Sequence, residues 1–482
     1  MNILKKSLLP LAVLSCATLA AHSQTVIDSD TTYDGVPFTI DPTEDLIVTG
    51  AADPLLLLQN EAVGTGAATV TIGDDGSSGR MRVESGSTFE SGSQTIVGHD
   101  GGTGHLVITG ADTEYISGST IRIGNTGGEG LMEVLDGAYF NNSATTLRIA
   151  EAAGGSGVLT ISGANTYFQS GNWVSIGGAG MGTLNVQNGA LMVIGGPGGN
   201  TSTSNRLQIG QERTNFNNGR GTVTVTGANS RIEVEDFIHL GRYQSTSELR
   251  IENGGYVVGS STSIYNTSDN SLGLVLISGE DSVLESTSSG NAIRFGRDGD
   301  QGFANFRVEN GGAIMTGDSE GDVMLESSAA ILSGTGGTIH GNVLNTAGTL
   351  APALEFAFAD TTSLNPDVIE TIGDRGVFTM TGNYTQSENA ILQLHIGGAS
   401  DYDSIVAGGD MILDGTLTLT AVGSPGLQAG NTLGVLTWGG TITGEFDSID
   451  AFDLGGDLSW DFTNLYEDGT ISVIPEPSSF AL

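Results

Sequence analysis

Two short hydrophobic phrases alternate along most of this chain. The first is G-x-Φ-x-Φ-x-x-G-[A/S], with Φ apolar. It reads GRMRVESGS at Gly79, GHLVITGA at Gly104, GLMEVLDGA at Gly130, GVLTISGA at Gly157, GTLNVQNGA at Gly182 and GTVTVTGA at Gly221. Looser copies start at Ser247, Gly273 and Ala304, and the first four steps between starts are 25, 26, 27 and 25 residues. The second phrase, Φ-x-Φ-G, interleaves with the first at Val70, Ile121, Val174, Leu207, Ile238 and Ile293. TIVG at Thr95 weakens it, and LRIA at Leu147 puts Ala where the glycine stands. A third apolar spot recurs at Phe89, Tyr115, Phe140, Phe168 and Ile232.

Each unit therefore predicts three short strands and three turns. Period-two alternation sends one set of side chains inward and the other outward. One unit alone has nowhere to bury its inward residues. Stacked on copies of itself, it hydrogen-bonds along the stack and shares a continuous core. The expected fold is all-β, a parallel β-helix (solenoid) with a C-terminal β cap. Glycine serves the corners, where a positive φ or a close approach is needed. Nine or ten such coils would make a rod of roughly 45 Å, and more with the C-terminal part. A β-propeller is the competing fold, but its blades need units of about 40–50 residues with four antiparallel strands.

The rhythm breaks twice, with a step of 39 residues from Gly182 to Gly221 and one of 31 from Gly273 to Ala304. These inserts read as tolerated loops or as binding surfaces. The predicted organisation is residues 1–23 a leader, 24–60 an N-terminal cap, 61–330 the repeat helix, 331–473 further coils and a cap, and 474–482 a terminal signal. Within the fourth segment 353–375 is irregular and reads as a loop. Trp438 and Trp460 are the expected anchors of the cap core.

Charge narrows the partners. The 482 residues carry 55 acidic against 16 basic residues, a formal net charge of −39. Lys occurs only at Lys5 and Lys6, and no Arg follows Arg375. Phosphate binding needs Lys and Arg to displace counterions, so nucleic acid is excluded as a partner. Lys5 and Lys6, the apolar run Ser7–Ala20 and the small-x-small Ala21-His22-Ser23 form an export leader with expected cleavage between Ser23 and Gln24. The rival reading makes Cys16 a lipid-bearing cysteine. Cys16 is the only cysteine, so the exported chain has no disulfide and no thiol chemistry.

GTLNVQNGA and VSIGGAGMGTL (174–184) resemble the β-strand repeat shared by type V secretion (autotransporter-like) passengers and PEP-CTERM proteins. The resemblance covers about 65–330. LSGTGGTIHGNVLNTAGTLAP and GNYTQSENAILQLHI also resemble passenger domains. This implies a right-handed parallel β-helix on an exported, surface-associated protein of a Gram-negative cell. VIPEPSSFAL contains Pro475, Glu476 and Pro477, the heart of the PEP-CTERM sorting signal, which implies an exosortase-type partner and transient inner-membrane anchoring. The membrane helix and Arg cluster that follow in that family are not among these residues, so a truncated signal is expected. A translocating barrel needs at least eight amphipathic strands of about ten residues, and none is expected in this tail.

Catalytic chemistry is not evident. Glycan lyases and hydrolases need converging carboxylates, or an acidic Ca²⁺ cluster with a basic residue. His99, His105, His239, His340 and His395 show no metal-ligand spacing. Arg294, Arg297, Asp298 and Asp300 form the densest mixed-charge run; it and the pairs Asp74/Asp75 and Asp401/Asp403 read as turn formers. Calcium is the one cofactor to consider, but GGTGHL and GGSGVL place Leu where a Ca²⁺ nonapeptide needs Asp. No catalytic, cofactor or metal residue is therefore expected. The functional reading is a non-catalytic structural spacer or adhesin of the cell surface or extracellular matrix, with polysaccharide or a neighbouring cell surface as partner. A polysaccharide lyase or glycoside hydrolase on the same scaffold, or a non-catalytic glycan-binding module, is the alternative.

Overall fold

A computed structural model describes residues 23–142, 145–195, 205–210, 219–242, 244–265, 271–288, 290–297, 302–317 and 321–476. Among these the chain winds into three long parallel sheets. The first holds 16 strands and the third 15, ordered by every third strand of the sequence as far as Thr338–His340 and Asn342–Asn345, beyond which additional strands lengthen the step. The Φ-x-Φ-G phrases form the first sheet: Thr95–His99 lies between Val70–Ile72 and Ile121–Asn125, parallel to both. The longer phrases form the second sheet, in which Thr103–Thr109 lies between Ser78–Glu84 and Glu129–Leu135. The third apolar spot forms the third sheet, with Glu114–Ser117 between Thr88–Ser91 and Tyr139–Asn142. The second sheet is an open ladder, because Thr31–Asp34 at one end and Ser448–Ala451 at the other each pair with a single parallel neighbour. The architecture is the expected parallel β-helix.

Register stacks like on like. Leu106 sits over Met81 and under Met132, and Ile108 between Val83 and Val134; all six are fully buried. In the third sheet Phe89, Tyr115, Phe140 and Phe168 form an inward column, with successive ring centroids 5.2, 5.3 and 4.6 Å apart. The first pair is tilted and the other two are stacked, and aromatic pairs of this kind add about 0.5–1.5 kcal/mol each beyond burial. The Tyr115 hydroxyl remains satisfied by Thr95 Oγ1 at 2.9 Å. Met192 continues the column to Ile232, so the 39-residue step does not interrupt the core.

The corners explain the glycines. Gly98 has φ +74°, and a Cβ there would stand 2.1 Å from the Glu129 carbonyl oxygen of the next coil. The turn from the second to the third sheet adds a device the glycine count hides. Its Asp or Asn is also left-handed, as at Asp136 (φ 54°) before Gly137 and Asn188 (φ 56°) before Gly189. Two consecutive positive φ values suit Asn-Gly and Asp-Gly pairs.

Three expectations are corrected. Residues 24–60 are no separate cap: Gln24–Ile27 pairs in parallel with Asp45–Val48, which pairs with Val70–Ile72, so these residues already belong to the solenoid. Parallel coils also continue at the other end, to Ile442–Gly444 and Ser448–Ala451. With these C-terminal coils included, sixteen rungs at about 4.8 Å span about 70 Å. Residues 353–375 are no plain loop, because Leu354–Phe358 and Val368–Ile372 form an antiparallel hairpin. The C-terminal cap is present as an antiparallel trio, Thr432–Gly434, Thr470–Pro475 and Leu458–Asp461, around buried Leu433, Leu465, Ile471 and Val473. Trp460 packs edge-on against Phe452 at 5.4 Å and donates to its carbonyl oxygen. Trp438 lies instead in a solenoid strand, paired with Ala407.

Candidate functional site

The second sheet turns one face outward, and its outward positions run in columns along the rod. Register places Ser78, Thr103, Glu129 and Ser156 in one column and Arg80, His105, Leu131 and Val158 in the next. Together with Asp53 they line an open trough of about 640 Å³. Arg80 is held by Asp53, through its carboxylate at 2.9 Å and its carbonyl oxygen at 3.0 Å. His105 Nε2 lies 2.8 Å from Glu133 Oε2. The two cationic or titratable side chains are thus oriented by carboxylates, and Leu131 and Val158 provide an apolar patch between polar rims.

Farther along the same face the hairpin folds back over the sheet. Arg220 Nη1 donates to the carbonyl oxygens of Asp360 (2.7 Å) and Ser363 (3.1 Å), and its guanidinium lies over Phe358, 5.0 Å from the centroid. Thr246 Oγ1 donates to the Leu364 carbonyl at 2.8 Å. Arg307 pairs with Glu355 at 2.7 Å, and Phe303 packs on Phe356 at 4.8 Å. The hairpin is a strap across the coils that carry Arg220, Thr246 and Phe303. Nothing in residues 353–375 signals this. Its partners lie far back in sequence and are ordinary outward residues of a ladder.

On the outer face of the first sheet the arginines gather. Arg148 and Arg206 flank the Trp173 ring at 5.4 and 5.3 Å. His239 is buried there. Burial, then the charges of Arg206, Arg242 and Arg297, push its imidazole down to about 3, so it is neutral in ordinary buffers.

The other sequence candidates separate. Asp74, His99 and Asp100 converge at the corner between the first and second sheets, with donor atoms within 4.8 Å of one another. Spacing along the chain conceals this, because Asp74 and His99 meet only when coils stack. Two carboxylates and an imidazole do not make the six-to-eight-oxygen shell of Ca²⁺; such a set suits a borderline ion better. Glu388, Asp414 and Asp447 also crowd: hydrogen bonding and repulsion from Asp414 raise the Asp447 carboxyl. His395 and Asp403 are a buried structural pair. The imidazole Nδ1 is 3.0 Å from Asp403 Oδ2, and Asp403 also accepts the His395 and Gly376 amides. Asp401 is clamped by Arg375 at 3.0 and 2.7 Å, which holds its carboxyl below the usual range. Arg294 forks onto Glu326, while Asp298 and Asp300 lie outside the described residues. The His340 carbonyl oxygen accepts Thr316 Oγ1 at 2.8 Å.

At the chain ends, Ser23 donates to Glu44 at 2.6 Å and Gln24 opens the first strand. Pro475 closes the last cap strand, opposite Leu458, and the Glu476 amide donates to Asp457 at 2.6 Å. Residues 1–22, with Cys16, and Pro477 lie outside the described residues. No described helix is long and apolar enough to cross a membrane.

No protein-family model matches the sequence, and no curated protein matches it. Among solved structures, the crystal structure of a TibC-catalysed, hyper-glycosylated TibA fragment aligns over 89% of this chain and 100% of that one, at 11% identity and a TM-score of 0.21. A score that low carries no argument. The class of the protein, an all-β parallel solenoid with one capped end and a strapped face, rests on its own strand registers.

Proposed function

We propose that this protein is an exported, non-catalytic β-solenoid that acts at the cell surface or in the extracellular matrix as a spacer or adhesin. The observation that carries this is the uninterrupted triple ladder from Gln24 to Ala451, closed at its C-terminal end by an antiparallel cap. A rigid rod whose side faces repeat at every rung is suited to span distance and present surface. The leader, the absence of cysteine beyond Cys16 and the P-E-P tail support export. The resemblance to autotransporter-like passengers and PEP-CTERM proteins supports surface sorting by exosortase-type machinery.

Catalysis is the weaker reading. The trough gathers Asp53, Glu129, Arg80 and His105, but Arg80 is tied to Asp53 and His105 to Glu133. These pairs read as mutual positioning, and the proposed role needs neither calcium nor another cofactor. The test is expression of the full chain in a Gram-negative host, with fractionation, surface proteolysis and N-terminal sequencing. The expected product begins at Gln24 and is cleaved from outside intact cells. Retention in the cytosol with the leader uncleaved, or release of reducing sugar from polysaccharides, would overturn the reading.

A further inference from the structure

We propose that the open trough on the second sheet binds a neutral, hydroxyl-rich polysaccharide chain lying along the rod axis, with the strap tip as its stop. This rests on the surface role above and gives it a ligand class.

The strap shows what the lane accepts. Ser78, Thr103, Glu129 and Ser156 stand in the same register column as Arg220 and Thr246, with Met181 between the two groups. At the strapped end that column donates to carbonyl oxygens of an irregular stretch of chain, Asp360, Ser363 and Leu364. At the open end the same column offers the hydroxyls of Ser78, Thr103 and Ser156 and the carboxylate of Glu129. Mixed donors and acceptors repeated at rung spacing suit hydroxyl groups, which both give and take hydrogen bonds.

A polypeptide fits less well. The strap anchors through Phe356 on Phe303 and Phe358 under Arg220. The open trough has no Phe, Tyr or Trp among its lining residues and offers only Leu131 and Val158 as apolar side chains. Small apolar patches between polar rims match the C–H faces of a sugar. Charge selects further. Asp53 and Glu129 line the trough beside one Arg that Asp53 already pairs, Glu133 sits on His105, and the chain's net charge of −39 repels a polyanion. Arg80 and His105 arrive already oriented by Asp53 and Glu133, so little side-chain ordering remains to oppose binding.

The test is calorimetric titration of the full chain with cellohexaose, laminarihexaose, xylohexaose and mannohexaose, beside hexagalacturonate and a heptapeptide of the strap, AFADTTS (357–363). At least one neutral hexasaccharide should bind, and hexagalacturonate and the peptide should bind at least tenfold more weakly. The outward double change Leu131→Glu with Val158→Glu should lower that affinity tenfold or more at an unchanged thermal midpoint. Thr385→Glu, on the first sheet, should leave it unaltered. Binding to none of the neutral sugars, tighter binding of hexagalacturonate or the peptide, or full affinity in the double variant would overturn the proposal. A chain that reaches the cell surface yet fails these titrations refutes the ligand and leaves the spacer reading standing; a chain that binds but stays in the cytosol does the reverse.

Discussion

Arg220 and Asp360 are 140 residues apart in sequence, and the Arg220 guanidinium donates to the Asp360 carbonyl at 2.7 Å. The arginine side chain is 3% exposed and also lies 3.8 Å from Glu248. One buried cation thus fastens the tip of the strap to a coil formed far earlier in the chain.

Arg220→Met should free that tip. It removes two hydrogen bonds to carbonyls and the longer of two arginine contacts to Glu248, which keeps Arg250 at 3.2 Å. Each lost bond to a charged group is worth about 1.5–3 kcal/mol. Hydrogen exchange should rise sharply over residues 357–367 and stay unchanged in the coils around Leu106. Equal protection of the strap in the variant would show that Phe356 and Glu355 suffice to hold it.

Phe140→Ala opens a cavity between Tyr115 and Phe168 in a column with no other filler. The expected loss is about 3–5 kcal/mol, against about 1 for Phe140→Leu. Because each coil leans only on its neighbours, the denaturation curve should also broaden or split. Circular dichroism with urea reads both effects. A single sharp transition at the wild-type midpoint would contradict the stacking account.

Gly98 and Gly76 separate two uses of the same residue. Both have positive φ, but a Cβ on Gly98 strikes the next coil's backbone at 2.1 Å while one on Gly76 meets open space. Gly76→Ala should cost only the left-handed penalty, about 1–2 kcal/mol. Gly98→Ala should prevent neighbouring coils from closing and yield little soluble protein. Soluble yield and thermal midpoint of the two variants, side by side, measure the difference.

His239 should make the fold acid-sensitive. Its folded value, about 3, lies below the ordinary 6.5, with burial as the chief cause. The unfolded chain therefore binds the extra proton first. Its contribution is fully present above pH 6.5 and is lost as pH falls from there toward 3, at up to about 1.4 kcal/mol per pH unit. His239→Gln should flatten that part of the profile. The wild-type minus variant difference isolates it from carboxylates such as Asp401, which lose their own stabilisation at lower pH. Parallel profiles between pH 6.5 and 4 would rule the effect out.

The repeat was legible because each phrase carries its own periodicity. The inward Met81, Leu106 and Met132 are spelled out by alternation, and so is the aromatic column at Phe89, Tyr115 and Phe140. Gln24–Ile27 and Asp45–Val48 were hidden because they lack the closing glycine, although their burial alternates like the rest. The strap was illegible for another reason. Phe356 and Phe358 find their partners on outward positions, which a pattern of inward residues does not mark. The trough and the Asp74–His99 corner belong to the same category. They are made by neighbours across coils, and the sequence lists those neighbours some 25 residues apart.

In-register stacking makes the rod modular in units of one winding. Thr103 and Glu129 occupy identical places in successive coils, as do Gly102 and Gly128 at the turns before them. Excising 103–128 would join Gly102 to Glu129 and bring Met132 down upon Met81, sulfur against sulfur, with no side chain changing face. Length can thus be edited one step of about 4.8 Å at a time, which makes such a gene a ruler whose gradations recombination can add or erase without redesigning the interior.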